Sequence, residues 1–229
     1  MLSRKQNKMY IDFAITDTEI NEAEAKVLVN EIQQCPVQSI TLPYYLIKTV
    51  KNLVPQDKIV ISCFIDYPLG ISDIKTRRCA IEQAFKAGAN AVDIAMPQNL
   101  AANRKYDKIR DDIKGVIEFC TETGLHPRYI LEYRIFDHHC LKKICEIFES
   151  FGIKYVYPST GYFLDNLADN ILASIFLHEN SKDLNIICTG NIWTNKHFET
   201  MLKSGLFGFR TTSIHSLRNF IKFNSTHKD

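Results

Sequence analysis

The sequence lacks the features that mark membrane proteins, disulfide-rich secreted domains and nucleic-acid binders. No apolar run approaches the roughly 20 residues that are needed to cross a bilayer. The seven cysteines form no Cys-x-x-Cys pair, and their odd number and irregular spacing favour reduced thiols over a disulfide framework. The formal net charge of +2 gives no reason to expect nucleic acid or an anionic membrane as a partner. We therefore expect a cytoplasmic protein whose partner is a small molecule.

We expect residues 1–10 not to be a secretory signal peptide, because this basic segment contains no apolar stretch. We predict that residues 1–10 form a loosely held arm and that residues 11–229 form one domain. No linker, repeat or low-complexity segment interrupts that domain. A chain of 229 residues with 45% apolar and 24% charged composition can bury a sizeable core.

Apolar patterning divides the chain into eight units, each a strand followed by a helix. The predicted strands are residues 11–15, 38–42, 58–65, 91–96, 128–134, 155–157, 184–189 and 206–211. The predicted helices are residues 19–34, 44–53, 72–87, 106–123, 140–151, 164–180, a segment after Thr194, and 214–223. Eight such units with short connections predict a single (β/α)8 TIM barrel, whose usual length of about 250 residues is close to this one. The alternative is a doubly wound open sheet, but no Gly-x-Gly-x-x-Gly follows the first strand.

The sixth predicted strand carries the most informative local pattern. Tyr155-Val156-Tyr157-Pro158 alternates aromatic and β-branched residues and ends at a proline, which is typical of a strand. Ser159-Thr160-Gly161 follows as a turn ahead of a helix. Such a turn exposes backbone N–H groups that suit a phosphate.

Six segments of the chain resemble the deoxyribose-phosphate aldolase family, in the family's own order. The matching segments are Ile11-Asp12, residues 66–70 (Asp-Tyr-Pro-Leu-Gly), 88–93 (Gly-Ala-Asn-Ala-Val-Asp), 128–132 (Arg-Tyr-Ile-Leu-Glu), 155–161 and 190–194 (Gly-Asn-Ile-Trp-Thr). The resemblance extends from Ile11 to about Phe223. It implies a TIM barrel whose active centre has an aspartate and two lysines, one of which forms a Schiff base with the substrate.

This chain departs from the family pattern at the two lysine positions. Tyr157 stands at the Schiff-base position and Ile187 at the second lysine position, whereas Asp93 matches the family's active-site aspartate. Tyrosine supplies no primary amine, and Lys154 has the opposite strand parity to Tyr157. The resemblance therefore indicates a divergent member of the family without either active-site lysine.

The residues that we expect to bind a substrate or its phosphate lie at the carboxyl ends of the strands. They are Thr41, Ser159, Thr160, Gly161, Thr189, Gly190, Asn191, Trp193, Arg210, Thr212 and Ser213. Asn191 replaces the second glycine of the family's Gly-Gly-Ile-Arg-Thr segment, and Trp193 replaces its arginine. Arg210 stands where the eighth strand of the family has glycine, so it either binds an anion or fills the pocket.

The candidate catalytic residues are the charged and phenolic side chains predicted at the same end of the barrel. They are Asp93, Tyr157, Glu132, Arg128 and Asp12. In one interpretation Asp93 or Glu132 is a general base and Tyr157 is a general acid or oxyanion donor. In the other, Asp93, Arg128 and Glu132 form a buried ion-pair network with a structural role.

Two functions of different classes remain open on these residues, beside a third, which is a classical Schiff-base aldolase with a relocated lysine. The first is an aldolase-like enzyme that acts on a small carbonyl or enolisable compound, phosphorylated or not, by lysine-free acid–base catalysis. The second is a catalytically inactive barrel that binds a ligand or a protein partner. We expect no cofactor and no metal, because the adjacent His138 and His139 diverge by about 100° on a helix. For the oligomeric state, we consider a homodimer as the alternative to a monomer.

Overall fold

Eight parallel strands form a closed barrel within the residues that the structure describes. The structure is a computed structural model, and it describes residues 9–55, 58–163, 166–192 and 194–226. The strands are β1 (Tyr10–Ala14), β2 (Ser39–Leu42), β3 (Val60–Ile65), β4 (Ala91–Ala95), β5 (His126–Ile130), β6 (Tyr155–Tyr157), β7 (Asn185–Thr189) and β8 (Gly208–Thr211). Each strand pairs with the next in sequence, and β8 pairs with β1. The predicted (β/α)8 barrel is confirmed.

Helices follow the strands and cover the outside of the barrel. They are α1 (Glu22–Ile32), α2 (Ile47–Lys51), α3 (Ile74–Ala87), α4 (Gln98–Ala102), α5 (Tyr106–Thr123), α6 (His138–Ser150), α7 (Leu167–Glu179), α8 (Asn195–Lys203) and α9 (Ile214–Thr226). Short 3-10 turns precede α2 at Tyr44–Leu46 and α6 at Tyr133–Ile135. The helix α4 has no counterpart in the prediction.

Local capping decides where several helices begin and end. The predicted helix at residues 19–34 begins later, because Asn21 caps α1 and Glu24 bonds back to its backbone in a capping box. Asp73 caps α3 by accepting from the N–H of Thr76. Gly88 ends that helix with φ +103°, a left-handed conformation that glycine adopts without steric cost.

Two predicted boundaries of the barrel are wrong. The strand predicted at residues 128–134 stops at Ile130, because the chain turns away from the barrel and forms the 3-10 turn at Tyr133–Ile135. Glu132 therefore lies in the connection after β5. At the N-terminus, Met9 is buried and Tyr10 begins β1, so these two residues belong to the barrel and not to an arm. Residues 1–8 lie outside the described residues.

Aromatic rings fill the amino-terminal end of the barrel. Tyr10, Tyr155 and Phe207 have ring centroids 5.2 to 6.1 Å apart. A Cβ at Gly208 would collide with the carbonyl oxygen of Tyr10 in the neighbouring strand, so β8 needs glycine to approach β1. These rings leave no room for a ligand in the amino-terminal mouth of the barrel, so a site on the barrel axis lies at the carboxyl end.

Candidate active site at the carboxyl end of the barrel

A cluster of five buried side chains, here called the axial cluster, lies inside the barrel. Its members are Asp12 from β1, Asp93 from β4, Arg128 from β5, Tyr157 from β6 and Arg210 from β8. Strand register sets two of its contacts, since Asp93 is paired with Arg128 and Asp12 with Arg210 in neighbouring strands. All five are nearly inaccessible, from 0% exposed for the two aspartates to 6% for Arg210. Two guanidinium groups and two carboxylates make the cluster electrically neutral.

Asp93 has polar contacts on both carboxylate oxygens. Its Oδ1 accepts from Ser62 Oγ at 2.5 Å and from Arg128 Nε at 2.5 Å. Its Oδ2 contacts Thr41 Oγ1 at 3.1 Å and forms an ion pair with Arg210 Nη2. Burial acts to raise the pKa of Asp93, but the charges of Arg128 and Arg210 outweigh it and hold that pKa below its usual value. Asp93 is therefore an ionised partner of two arginines.

Asp12 connects the remaining members of the axial cluster. It accepts from the Tyr157 hydroxyl at 2.8 Å and from Arg210 Nε at 2.8 Å, and its Oδ2 lies 3.7 Å from Arg128 Nη2. The guanidinium carbon of Arg210 also lies 3.6 Å from the centre of the Tyr157 ring, which is a close cation–π contact. Burial raises the pKa of Tyr157 well above 10, so its hydroxyl keeps its proton.

A cavity of about 500 Å³ lies above the axial cluster, at the carboxyl ends of the strands. Eight of the predicted ligand-binding residues border it: Ser159, Thr160, Gly161, Thr189, Gly190, Asn191, Arg210 and Thr212. Among the described residues, Arg210 is the axial-cluster member that borders this cavity. The other four members lie beneath it, out of reach of a ligand in this conformation.

Three predicted binding residues fall elsewhere. Thr41 lies within the axial cluster, where its Oγ1 accepts from Arg128 Nη2 at 2.8 Å. Ser213 does not border the cavity in the described part of the chain, and its N–H donates to Thr211 Oγ1. Trp193 lies outside the described residues.

Glu132 is the predicted catalytic carboxylate nearest to the cavity wall. It is buried, and its Oε2 accepts from the Thr160 hydroxyl at 2.6 Å and from the Thr160 N–H at 3.3 Å. Thr160 itself borders the cavity. The structure thus connects a carboxylate to the ligand space through one hydroxyl group.

Ile187 and Tyr157 stand at the two positions that the resemblance matched to the family's lysines. Both are 0% exposed and pack together with Ile130 in the barrel interior. The lysines of the described residues are exposed or only partly buried, and none of them borders the cavity.

No group of three or more metal-ligating side chains occurs in the described part of the chain. His138 stacks against Phe176 with ring centroids 4.4 Å apart.

Sequence reasoning missed several residues of the site. Phe64 and Tyr67 border the cavity, and their rings stack with centroids 4.3 Å apart. Ser62 binds Asp93. The sequence could have indicated Ser62, because it is the polar residue that points inward in the apolar run at residues 59–65. Tyr67 lies in the matching segment at residues 66–70, but nothing in that pattern marks it as a residue that lines the cavity.

Several known proteins that are similar to this chain in sequence are deoxyribose-phosphate aldolases. The deoxyribose-phosphate aldolase of Clostridium tetani (strain Massachusetts / E88) is 29% identical over 155 residues, which cover 67% of this chain and 70% of that protein. The enzyme of Macrococcus caseolyticus (strain JCSC5402) is 22% identical over 196 residues, which cover 86% and 88%. No protein-family model matches the chain.

Solved structures with the same fold include the aldolase QR15, with a TM-score of 0.86 and 19% identity over 98% of this chain and 100% of that one. The deoxyribose-phosphate aldolase of Aeropyrum pernix has a TM-score of 0.81 and 17% identity, over 94% and 90%. No helix in the described residues is long and apolar enough to cross a membrane. The resemblance to the deoxyribose-phosphate aldolases, predicted from six short segments, is confirmed in both sequence and fold.

Proposed function

We propose that this protein is a divergent aldolase-like barrel enzyme that acts on a small carbonyl or enolisable compound without a Schiff base. The observation that carries the proposal is the burial of Tyr157 and Ile187 at the two lysine positions, with no described lysine in the barrel interior. A Schiff base needs a primary amine in a desolvated pocket. The aldolase relatives support an enzyme of the lyase class. An acid–base isomerisation, cyclisation, elimination or retro-aldol-type cleavage needs no amine and is close to the chemistry of these relatives.

Arg210 is the group that we expect to face the carbonyl oxygen of the substrate. Its Nε and Nη2 bind Asp12 and Asp93, whereas its Nη1 makes no hydrogen bond to the described residues. Because two carboxylates hold the guanidinium in place, Nη1 is oriented before a ligand arrives. A fixed cation at this position would stabilise the negative charge that develops on an enolate or alkoxide oxygen.

Glu132, acting through Thr160, is the general base of this proposal. Of the two carboxylates predicted as bases, it is the one whose partner hydroxyl borders the cavity. As the Thr160 oxygen takes a proton from the substrate, its own proton can pass to Glu132 over the 2.6 Å hydrogen bond. In this arrangement Asp93, Asp12, Arg128 and Tyr157 act by positioning Arg210.

The first test is borohydride trapping with acetaldehyde or deoxyribose 5-phosphate, read by intact-mass spectrometry. We expect no active-site adduct, whereas the Clostridium tetani aldolase treated in parallel should be the positive control. A stoichiometric adduct on any barrel-facing lysine of this chain would refute the lysine-free mechanism.

The second test is proton exchange between solvent deuterium and the α-position of acetaldehyde or acetone, followed by NMR. Thr160→Val keeps the shape of the side chain and removes the hydroxyl, so exchange should fall by ~10²-fold or more. Thr121→Val on the exposed side of α5 is the matched control and should leave exchange unchanged. Equal rates in the two variants would eliminate Thr160 and Glu132 as the proton relay.

A second candidate function is a catalytically inactive barrel that binds a ligand. One observation favours it: no carboxylate, imidazole, thiol or amine is among the described residues that border the cavity. If the wild-type protein binds a carbonyl compound but catalyses no exchange above the uncatalysed rate, this second candidate replaces the first.

A further inference from the structure

We propose that the compound held in this cavity carries no phosphate and has a flat apolar group that extends into a second cavity beside the first. The inference rests on the proposed function only in assuming that a small carbonyl compound binds at this end of the barrel. It names the class of that compound. Three features of the described residues carry it: the use of the loop donors, the charge balance and the lining of the second cavity.

The loop after β8, where barrel enzymes often bind phosphate, has its donors satisfied by the chain itself. Asn191 Oδ1 accepts from Thr211 Oγ1 at 2.8 Å, and from the N–H and the hydroxyl of Thr212 at 3.3 Å each. Thr211 Oγ1 in turn accepts from the Ser213 N–H at 3.1 Å. The amide oxygen of Asn191 thus takes the place that a phosphate oxygen would need.

The turn after β6 uses its donors in the same way. The Gly161 N–H donates to Ser159 Oγ at 3.0 Å, and the Tyr162 N–H donates to Thr160 Oγ1 at 3.1 Å. A phosphate at this turn would have to displace two hydrogen bonds that already satisfy the backbone. Neither loop is therefore prepared for an anion.

The charge of the site also opposes a phosphorylated ligand. Arg210 is the cation that borders the cavity among the described residues, and Asp12 and Asp93 already pair with it. A phosphate group brings about two negative charges, and an uncompensated buried charge is costly. A neutral carbonyl oxygen fits better, because Arg210 Nη1, which makes no hydrogen bond to the described residues, can donate to it without a second charge being buried.

The second cavity, of about 750 Å³, adjoins the first and shares Thr16, Phe64, Tyr67 and Gly161 with it. Its outer wall carries large apolar and aromatic side chains that are unusually exposed. Tyr44, Leu69, Ile71 and Tyr162 are 52%, 38%, 75% and 60% exposed.

The one carboxylate that borders this second cavity in the described residues is already neutralised. Asp66 is paired with Arg77 at 2.8 Å and accepts from the Ser72 hydroxyl at 2.8 Å. A flat apolar group gains from burial against such aromatic walls. Because Phe64 and Tyr67 border both cavities, one ligand that extends past them can occupy both, with its carbonyl at Arg210 and its ring against these two side chains.

The binding test compares a neutral aryl β-hydroxyketone, the aldol of benzaldehyde and acetone, with deoxyribose 5-phosphate. Both are titrated into the wild-type protein and followed by protein-observed NMR. We expect the aryl ketone to bind at least ~10-fold more tightly. Tighter binding of the phosphate would overturn the inference.

Ile71→Asp should weaken binding of the aryl ketone by ~10-fold or more, because it places a charge in the wall of the second cavity. Leu172→Asp is the matched control, since Leu172 on α7 is 64% exposed and does not border either cavity. Equal affinities in the two variants would show that the ring does not bind in the second cavity.

Asn191→Ala tests the loop after β8 with inorganic phosphate as the probe. Removing the amide should free the donors of Thr211 and Thr212, so phosphate affinity should rise by ~10-fold or more over the wild type. A thermal melt verifies that the variant is folded. No gain in the folded variant would refute the role given to Asn191. None of these measurements needs turnover, so an inactive protein would contradict the proposed function and leave this inference standing.

Discussion

The substitution Asp93→Asn tests whether the balance of charges stabilises the axial cluster. The carboxylate of Asp93 contacts Arg128, Arg210, Ser62 and Thr41. An asparagine in its place leaves two buried guanidinium groups with Asp12 as their one carboxylate partner in the cluster. It also turns an amide N–H₂ group toward donors. The variant therefore buries an uncompensated positive charge.

The expected loss follows from the burial of these groups. Breaking a buried ion pair by removing one partner costs about 3–5 kcal/mol. For a chain of this size, each kcal/mol lowers Tm by about 2–4 °C, so the melting temperature should fall by on the order of 10 °C. If Asp93 were instead a general base with little structural role, stability would change little and turnover would fall by ~10²–10⁴-fold.

Urea unfolding and thermal melts followed by circular dichroism measure the difference at neutral pH. Asp111→Asn provides the control, because Asp111 is an exposed aspartate on α5. A loss below ~1 kcal/mol for Asp93→Asn would refute the argument from charge balance. A second arm adds Arg128→Gln to Asp93→Asn. The double variant should lose less than the sum of the two single losses, because one arginine and one aspartate remain.

The difference in stability between the wild-type protein and Asp93→Asn should depend on pH in a definite direction. The pKa of Asp93 is lower in the folded protein than the value of about 3.9 in an unfolded chain. Its contribution to stability is therefore fully present above about pH 4 and is lost as the pH falls through the folded pKa. The stability gap between wild type and Asp93→Asn should be constant between about pH 5 and 7 and narrow in more acidic solution.

Three further predictions concern the positions around the axial cluster. Tyr157→Phe should lower the free energy of unfolding in urea by about 1.5–3 kcal/mol, because it removes the 2.8 Å hydrogen bond to Asp12 but keeps the ring under Arg210. Burial raises the pKa of Tyr10 to about 12 and that of Tyr157 well above 10. An ultraviolet titration should therefore show fewer ionised tyrosines at pH 11 in the folded protein than in the unfolded chain, and equal absorbance would contradict this burial. Tyr157→Lys combined with Ile187→Lys should leave aldolase turnover more than tenfold below that of the Clostridium tetani enzyme, because an amine needs matched burial and neighbouring charge to lower its pKa.

Local patterns in the sequence were sufficient for the elements whose signals are short-range. The helix α5 was predicted at residues 106–123 and is found there, because its apolar period is regular and Gly124 ends it in a left-handed conformation. The eight alternating strand–helix units favoured the closed barrel over the doubly wound open sheet, and the structure has the closed barrel. The buried polar residues on the inward parity of β1, β4, β5, β6 and β8 were also predicted to meet.

Other boundaries depended on interactions that a pattern does not reveal. The helix predicted from residue 19 begins at Glu22, because the reciprocal bonds between Asn21 and Glu24 cap α1 there. The end of β5 was placed too late, because the apolar residues at 129–131 continue past the point where the chain leaves the barrel. Backbone bonds to the β6 segment continue to Tyr133, whose N–H donates to the Pro158 carbonyl at 3.0 Å, but the chain adopts a 3-10 turn at Tyr133–Ile135 that the apolar pattern does not mark.

The sequence by itself determined the fold and most of the polar side chains at the carboxyl end. It did not determine which of them a ligand can reach. Asp93 and Glu132 were equal candidates as bases, yet Asp93 lies beneath Arg210 and Glu132 lies behind Thr160. Alternation along a strand fixes only whether a side chain points inward. Its depth along the barrel axis, and hence its access to the cavity, depends on the stagger of all eight strands and on the length of the neighbouring side chains.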